Sequence, residues 1–177
     1  MFSIGWTLRS KNRQLELSVG GRWYLAFTLA IGTVATYSGN NVIYLLESLL
    51  LSALLLSGVL SELTLSRVRV RRELGDLQAG MPGDDVFIVE NLGKLPLYCL
   101  EFGEYRGHHR YFSSFLLILP GRATVRVRSR PQLSDRGRHR WDGLLVATSF
   151  PFGFARKIRS ISEPGSRIVW PRVANPD

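Results

Sequence analysis

The chain has 177 residues, 45% of them hydrophobic, a formal net charge of +9 and a single cysteine, Cys99. That length allows one ordinary domain plus a smaller part, and one cysteine excludes an intrachain disulfide or a cysteine-rich metal site. The arginine excess points to an anionic partner: a lipid surface, a nucleic acid or an acidic protein.

The opening stretch "MFSIGWTLRSKNRQLELSVGG" places Arg9, Lys11 and Arg13 where a signal peptide needs an apolar run, so residues 1–19 read as a retained N-terminal segment. From Trp23 to Leu60 only Glu47 would be charged at neutral pH. Two apolar runs, 20–37 and 42–60, each cover roughly 27–28 Å as helices, close to a hydrocarbon core of about 30 Å. They predict a transmembrane helical hairpin over 20–62, turning at Ser38-Gly39-Asn40-Asn41. Trp23, Tyr24, Tyr37 and Tyr44 stand near the ends, where amphipathic rings favour the headgroup level. A buried hairpin in a soluble fold is the alternative, but such a helix shows a polar face and Leu49–Leu56 offers only a serine, Ser52.

Arg9, Lys11, Arg13 and Arg22 precede the first run, and Arg67, Arg69, Arg71 and Arg72 follow the second, while the turn has no Lys or Arg. The positive-inside rule therefore puts both termini in the cytoplasm. Ala26 and Ala30, Ser48 and Ser52, and Ala53 and Ser57 have the spacing of small residues that pack helices, within the hairpin or between copies in a homo-oligomer. Glu47 is the candidate intramembrane polar site. It lies only about 8 Å of helix rise beyond the turn, within reach of interfacial water, and an ion or proton role is the sharper alternative.

From Leu63 onward short alternating runs are separated by turns: "LSRVRVRREL", "VFIVEN", "LYCLEFGEY", "YFSSFLLIL", "ATVRVRSRPQL", "HRWDGLLVAT", "FARKIRSI" and "SRIVWP". They predict an antiparallel, immunoglobulin-like β-sandwich over residues 63–177. The fold class expected is thus an α+β membrane protein, a two-helix hairpin followed by a sandwich. Arg126, Arg128 and Arg130 share one face of their strand, with the valines facing inward. Together with Arg67, Arg69 and Arg71, which begin just below the bilayer, they form a candidate basic face that could hold the sandwich on anionic lipid. "SFPFGFARK" reads as a turn with apolar mass for packing, or as an aromatic pocket.

Read in order, "SGNNVIYLL…SGVLSE", the "AG…P" turn, "VEN", "PGRATV", "RGRHRWDGLLVATSFPFGF" and "RIVWPR" resemble bacterial membrane proteins of domain-of-unknown-function family fifty-eight. The resemblance implies a two-span hairpin in the inner membrane, a cytoplasmic β-domain, a following von Willebrand A-like part, and association with a MoxR-type AAA+ ATPase. By the same resemblance Gly39, Asn40 and Asn41 match the turn between spans, and Asn91 the asparagine ending a strand. Gly137 matches a glycine after arginine, and Pro151, Phe152 and Gly153 the "PFG" element. None of these is catalytic in the family. Glu47 departs from the apolar residue expected there. The chain stops five residues after Arg172, about where longer members continue, and it contains no "DxSxS" metal-adhesion sequence.

No phosphate-binding loop, "HExxH" or "GxSxG" occurs, so catalysis and a cofactor are not expected. His108 and His109 are adjacent and would point to opposite faces of a strand. A nucleic-acid binder is the charge-based alternative: Arg122 to Arg140 holds seven arginines, with Trp141 or Tyr111 available for stacking. Strand alternation already accounts for those arginines, and no recognition helix or RNA-binding signature is present. The expectation is a multi-pass inner-membrane scaffold whose β-domain binds a protein partner.

Overall fold

The computed structural model describes residues 7–10, 13–75, 84–129 and 136–170. They fall into two compact units, one within Met1–Ser66 and Thr148–Ile158, the other within Arg67–Ala147 and Arg159–Asp177.

In the first unit, β1 (Thr7–Ser10) and β2 (Arg13–Leu17) form an antiparallel hairpin in the stretch read above only as an N-terminal segment. Helix α1 spans Val19–Ser38. Its N-cap is Ser18, whose Oγ accepts from the Gly21 N–H at 2.8 Å, satisfying one of the donors a helix start leaves orphaned. The helix stops at Gly39, in the left-handed region at φ 61°, which donates to the Ala35 carbonyl. Asn40 then accepts from the Val42 N–H at 2.9 Å and opens α2, Asn41–Arg67. The predicted "SGNN" turn is therefore a cap-to-cap link. The Tyr24 hydroxyl donates to the Leu50 carbonyl at 3.1 Å, tying the two helices side by side.

Helix α2 runs further than the sequence predicts, and the strand expected from Leu65 begins only at Val68. Ser61 and Thr64 fold their hydroxyls back onto the carbonyls of Ser57 and Leu60, at 2.7 and 2.8 Å, so polar side chains at the helix end are satisfied locally. At about 1.5 Å per residue the 27 residues of α2 extend roughly 40 Å. By length and composition it is the one helix among the described residues able to cross a membrane.

The second unit is β-rich. Strands β3 (Val68–Glu73), β4 (Asp85–Asn91) and β7 (Thr124–Ser129) make an antiparallel three-stranded sheet in the order β3-β4-β7. A second sheet runs β9-β8-β5-β6, from β5 (Leu97–Arg106), β6 (His109–Leu119), β8 (Gly137–Thr148) and β9 (Ala155–Val169). Both follow from period-two alternation: Val68, Val70, Phe87, Val89 and Val127 are buried while Arg69, Arg71, Arg126 and Arg128 are exposed. The sheets meet where Phe87 of β4 lies 6.0 Å from Phe102 of β5, ring centre to ring centre.

"FARKIRSI" and "SRIVWP" read in the sequence as separate runs, yet β9 is one strand of 15 residues carrying Pro164 and Gly165 inside it. Gly165 explains the continuity. A Cβ there would stand 2.3 Å from the Trp141 indole, so glycine is a packing requirement here and not a break.

Candidate functional site

The most concentrated polar site in the second unit was not anticipated from sequence. Asp85, with its side chain fully buried, accepts hydrogen bonds from Arg72 of β3 and Arg167 of β9, and from the Gly75 N–H at 3.0 Å. Arg72 also donates to Glu104 of β5. Its guanidinium lies 4.7 Å from the Trp141 ring centre and 5.8 Å from that of Phe87. Burial works to raise the Asp85 pKa, but the hydrogen bonds from Arg167 and Arg72, with the Arg72 charge and the Gly75 amide, hold it below the usual carboxylate value. Two cations and two anions leave the cluster neutral. It joins four strands from both sheets, which is a tethering role.

The signal for this cluster lies in "VRVRRE". Arg71 and Arg72 are adjacent, so an alternating strand must point one of them inward, and an inward arginine needs a carboxylate. Asp85, one position ahead of the run "VFIVEN", is the first residue of β4.

The candidate basic face is partly neutralised. On the three-stranded sheet Arg71 and Arg126 both pair with Ile88, and Arg128 pairs with Val86, so these arginines share the exposed side. Glu73 and Glu90 share it too: Arg126 pairs with Glu73, and Arg69 lies 3.8 Å from Glu90. Such exposed pairs contribute little to stability. Arg71 and Arg128 have no acidic partner among the described residues. Arg67 is the last residue of α2 and not part of the strand face, a correction that follows from the longer helix. Arg130 and the "AG…P" turn lie outside the described residues.

Asn91 is fully committed. Its side-chain amide donates to the carbonyls of Leu95 (2.9 Å), Pro120 (3.0 Å) and Leu119 (3.3 Å), and its Oδ1 accepts from Gly93 at 2.8 Å. One buried side chain thereby ties loop 92–96 to turn 120–122. Gly137 opens β8 at φ 120°, a conformation that suits glycine. His108 and His109 are exposed at the β5–β6 turn. Among the described residues no group of three His, Cys, Asp or Glu side chains converges to hold a metal.

In the first unit the "PFG" element forms a clasp at the foot of α1. The Gly153 N–H closes the turn onto the Ser149 carbonyl, with Gly153 at φ 70° and Pro151 after a cis peptide bond. The Phe154 carbonyl then accepts from both the N–H and the hydroxyl of Ser18, each at 3.0 Å. The Phe154 ring stacks on Tyr24 at 4.1 Å, and half-exposed Phe152 packs beside it at 5.3 Å. Nearby, Lys157 donates to the Gly58 carbonyl at 2.7 Å and faces Glu62 at 3.5 Å, and Glu62 also pairs with Arg13. Burial, then the Arg13 charge, lowers the Lys157 pKa. These contacts pack the element against the start of α1.

Glu47 turns toward α1, where a Cβ on Gly32 would lie 3.0 Å from its Oε1. Its Oε2 is buried with no hydrogen-bond partner. Gly39, Asn40 and Asn41 make up the link already described.

These features define a mixed α+β protein with a β-rich body and, among the described residues, one helix long and apolar enough to span a membrane. Compared with protein-family models, with curated proteins and with solved structures, the chain matches none.

Proposed function

We propose that the protein is a non-catalytic scaffold, anchored in a bacterial inner membrane by a two-span hairpin, with both termini in the cytoplasm. Its β-domain, of immunoglobulin-like sandwich type, binds a protein partner. Helix α2 carries the membrane part of this reading: only 6% of its most apolar stretch is buried. Leaving so much apolar surface in water costs about 25 cal/mol per Å², and a bilayer removes that cost. The cap-to-cap turn without Lys or Arg, and the arginines on both flanks, support a hairpin with its ends inside.

The resemblance described above suggests the partner, a MoxR-type AAA+ ATPase or a separate von Willebrand A protein. Strand β6 is last in its sheet order and, away from Ser113 and Ser114, which bond to β7, offers an edge for strand addition. The arginine face offers an electrostatic alternative. Binding of nucleic acid or anionic lipid by that face is the second reading, favoured by Arg71 and Arg128.

The test is affinity purification from detergent-solubilised membranes at low and high salt, with mass spectrometry of the co-purifying material. Stoichiometric AAA+ ATPase or von Willebrand A protein supports the scaffold. Salt-resistant capture favours the strand edge, and salt-sensitive capture the arginine face. Nuclease-sensitive nucleic acid in its place sinks the scaffold reading, and recovery of lipid or of the protein alone removes the ATPase link.

A further inference from the structure

The loop and turn tied together by Asn91 lie against the last residue of the membrane-competent helix. The Leu92 N–H donates to the Arg67 carbonyl at 2.9 Å, and a Cβ on Gly93 would meet the Arg67 side chain at 2.8 Å. The Arg122 N–H donates to the Gly93 carbonyl at 2.9 Å, and Gly121 has no room for a Cβ because the Lys94 carbonyl would be 2.0 Å away. Loop 92–96 and turn 120–122 are thus one preorganised tip beside Arg67.

None of the tip's outward side chains contributes to these ties. Leu92 is 53% exposed and Leu95 64%, and Leu117 and Ile118, just before the turn, are 59% and 48% exposed. Lys94 and Arg122 are exposed among them. Neither 91–97 nor 117–123 contains an acidic residue, so both cations act unopposed by carboxylates of their own segments. Arg122 holds φ 56°, where glycine would sit without strain and an arginine side chain is presented at a cost. Apolar tips interleaved with basic residues match a headgroup region, with acyl chains beneath and anionic phosphates above.

Position follows from the length of α2. A bilayer with its headgroups is about 40–45 Å thick, and a helix of roughly 40 Å that crosses it ends within the far headgroup layer. Arg67 is that end. We propose that the tip formed by Leu92, Lys94, Leu95 and Arg122 docks on the anionic lipid surface around the exit of α2, a second contact with the bilayer besides the helices. This rests on the reading of α2 as a span and deepens it.

The test uses the full chain with Cys99→Ser, carrying a fluorophore at Leu55→Cys, Leu95→Cys or His108→Cys. The proteins are reconstituted in phosphatidylcholine vesicles with or without phosphatidylglycerol and quenched by nitroxide lipids. Leu55 lies mid-helix, and His108 lies at the opposite end of the β5–β6 hairpin from the tip. The expected result is quenching at 55 by deep nitroxides, at 95 by shallow nitroxides in phosphatidylglycerol vesicles, and none at 108. Lys94→Gln with Arg122→Gln should lower the docking equilibrium constant read at 95, about fivefold for each residue, and leave 55 unchanged. Quenching at 55 without quenching at 95 overturns the tip and leaves the span standing. Quenching at 95 that ignores both phosphatidylglycerol and the double variant overturns the anionic-lipid assignment. No quenching at 55 overturns the span, and the tip with it.

Discussion

Asp85 and Arg167, 82 residues apart in the chain, form a buried ion pair that joins the first residue of β4 to β9. Arg72 reaches the same carboxylate from β3, so the Asp85 charge compensates two buried guanidinium groups. Removing one member of such a set leaves the others uncompensated, which costs about 3–5 kcal/mol. Asp85→Ala should therefore lower stability by about that amount in denaturant unfolding in detergent. Asp85→Leu combined with Arg167→Met should cost less than Asp85→Ala alone, because the pair is replaced by apolar volume. A double variant as unstable as the single one would show that the charges themselves hold the strands.

The same pair sets an acid limit. The folded Asp85 pKa lies below its unfolded value of about 4, so its stabilisation is complete above that value and is lost as pH falls through the folded pKa. Melting temperature measured from pH 7 down to pH 3 should drop at the acid end in the parent. Asp85→Asn, less stable throughout, should drop less over the same window. Parallel curves would assign the acid limit to other carboxylates.

What the sequence reveals and what it hides divide along the range of the interactions. Alternation in Thr124–Ser129 places Val127 inside and Arg126 and Arg128 outside because each side chain's face is set by its own strand. The turn between the helices is legible for the same reason, since Gly39 and Asn40 act on neighbours within four residues. The end of α2 is not, because "LSRVRV" reads as a strand from Leu65 while the helix, with the Ser61 and Thr64 hydroxyls satisfied on its own carbonyls, continues to Arg67. The tethers are hidden altogether: Arg72 with Glu104, Asp85 with Arg167, and Ser18 with Phe154 join residues 32 to 136 positions apart. Only the doubled arginine at 71–72 hints at one of them.

The clasp on α1 makes two neighbouring glycines unequal. A Cβ at Gly21 would lie 1.9 Å from the Phe154 carbonyl oxygen, a backbone atom that cannot swing aside, whereas at Gly20 the nearest atom is Ser18 Oγ at 3.9 Å. Gly21→Ala should expel the "PFGF" turn from the helix foot, expose Ser149–Phe154 to limited proteolysis and lower the melting temperature. Gly20→Ala should keep the clasp and gain up to about 1 kcal/mol from helix propensity. Equal behaviour of the two variants would mean that the clasp does not persist in solution.

Asn91 separates hydrogen bonding from size. Its amide faces three carbonyls, a surrounding that rewards donors and repels negative charge. Asn91→Asp keeps the volume, loses all three donations at neutral pH and buries a carboxylate against oxygen atoms. Asn91→Ala leaves the same carbonyls unsatisfied, at about 1–3 kcal/mol each where water cannot reach them, but adds no charge. The aspartate should therefore be the more damaging change at pH 7, and it should recover part of the loss as acid returns one donor to the site. Hydrogen exchange supplies the local readout: the amides of Gly93 and Arg122, bonded to Asn91 Oδ1 and the Gly93 carbonyl, should lose protection in both variants. Val89, buried in the middle of β4, should stay protected in any variant that remains folded. Loss of protection confined to 92–96 and 120–122 would show that Asn91 organises the tip, whereas uniform loss would make it a determinant of the whole β-unit.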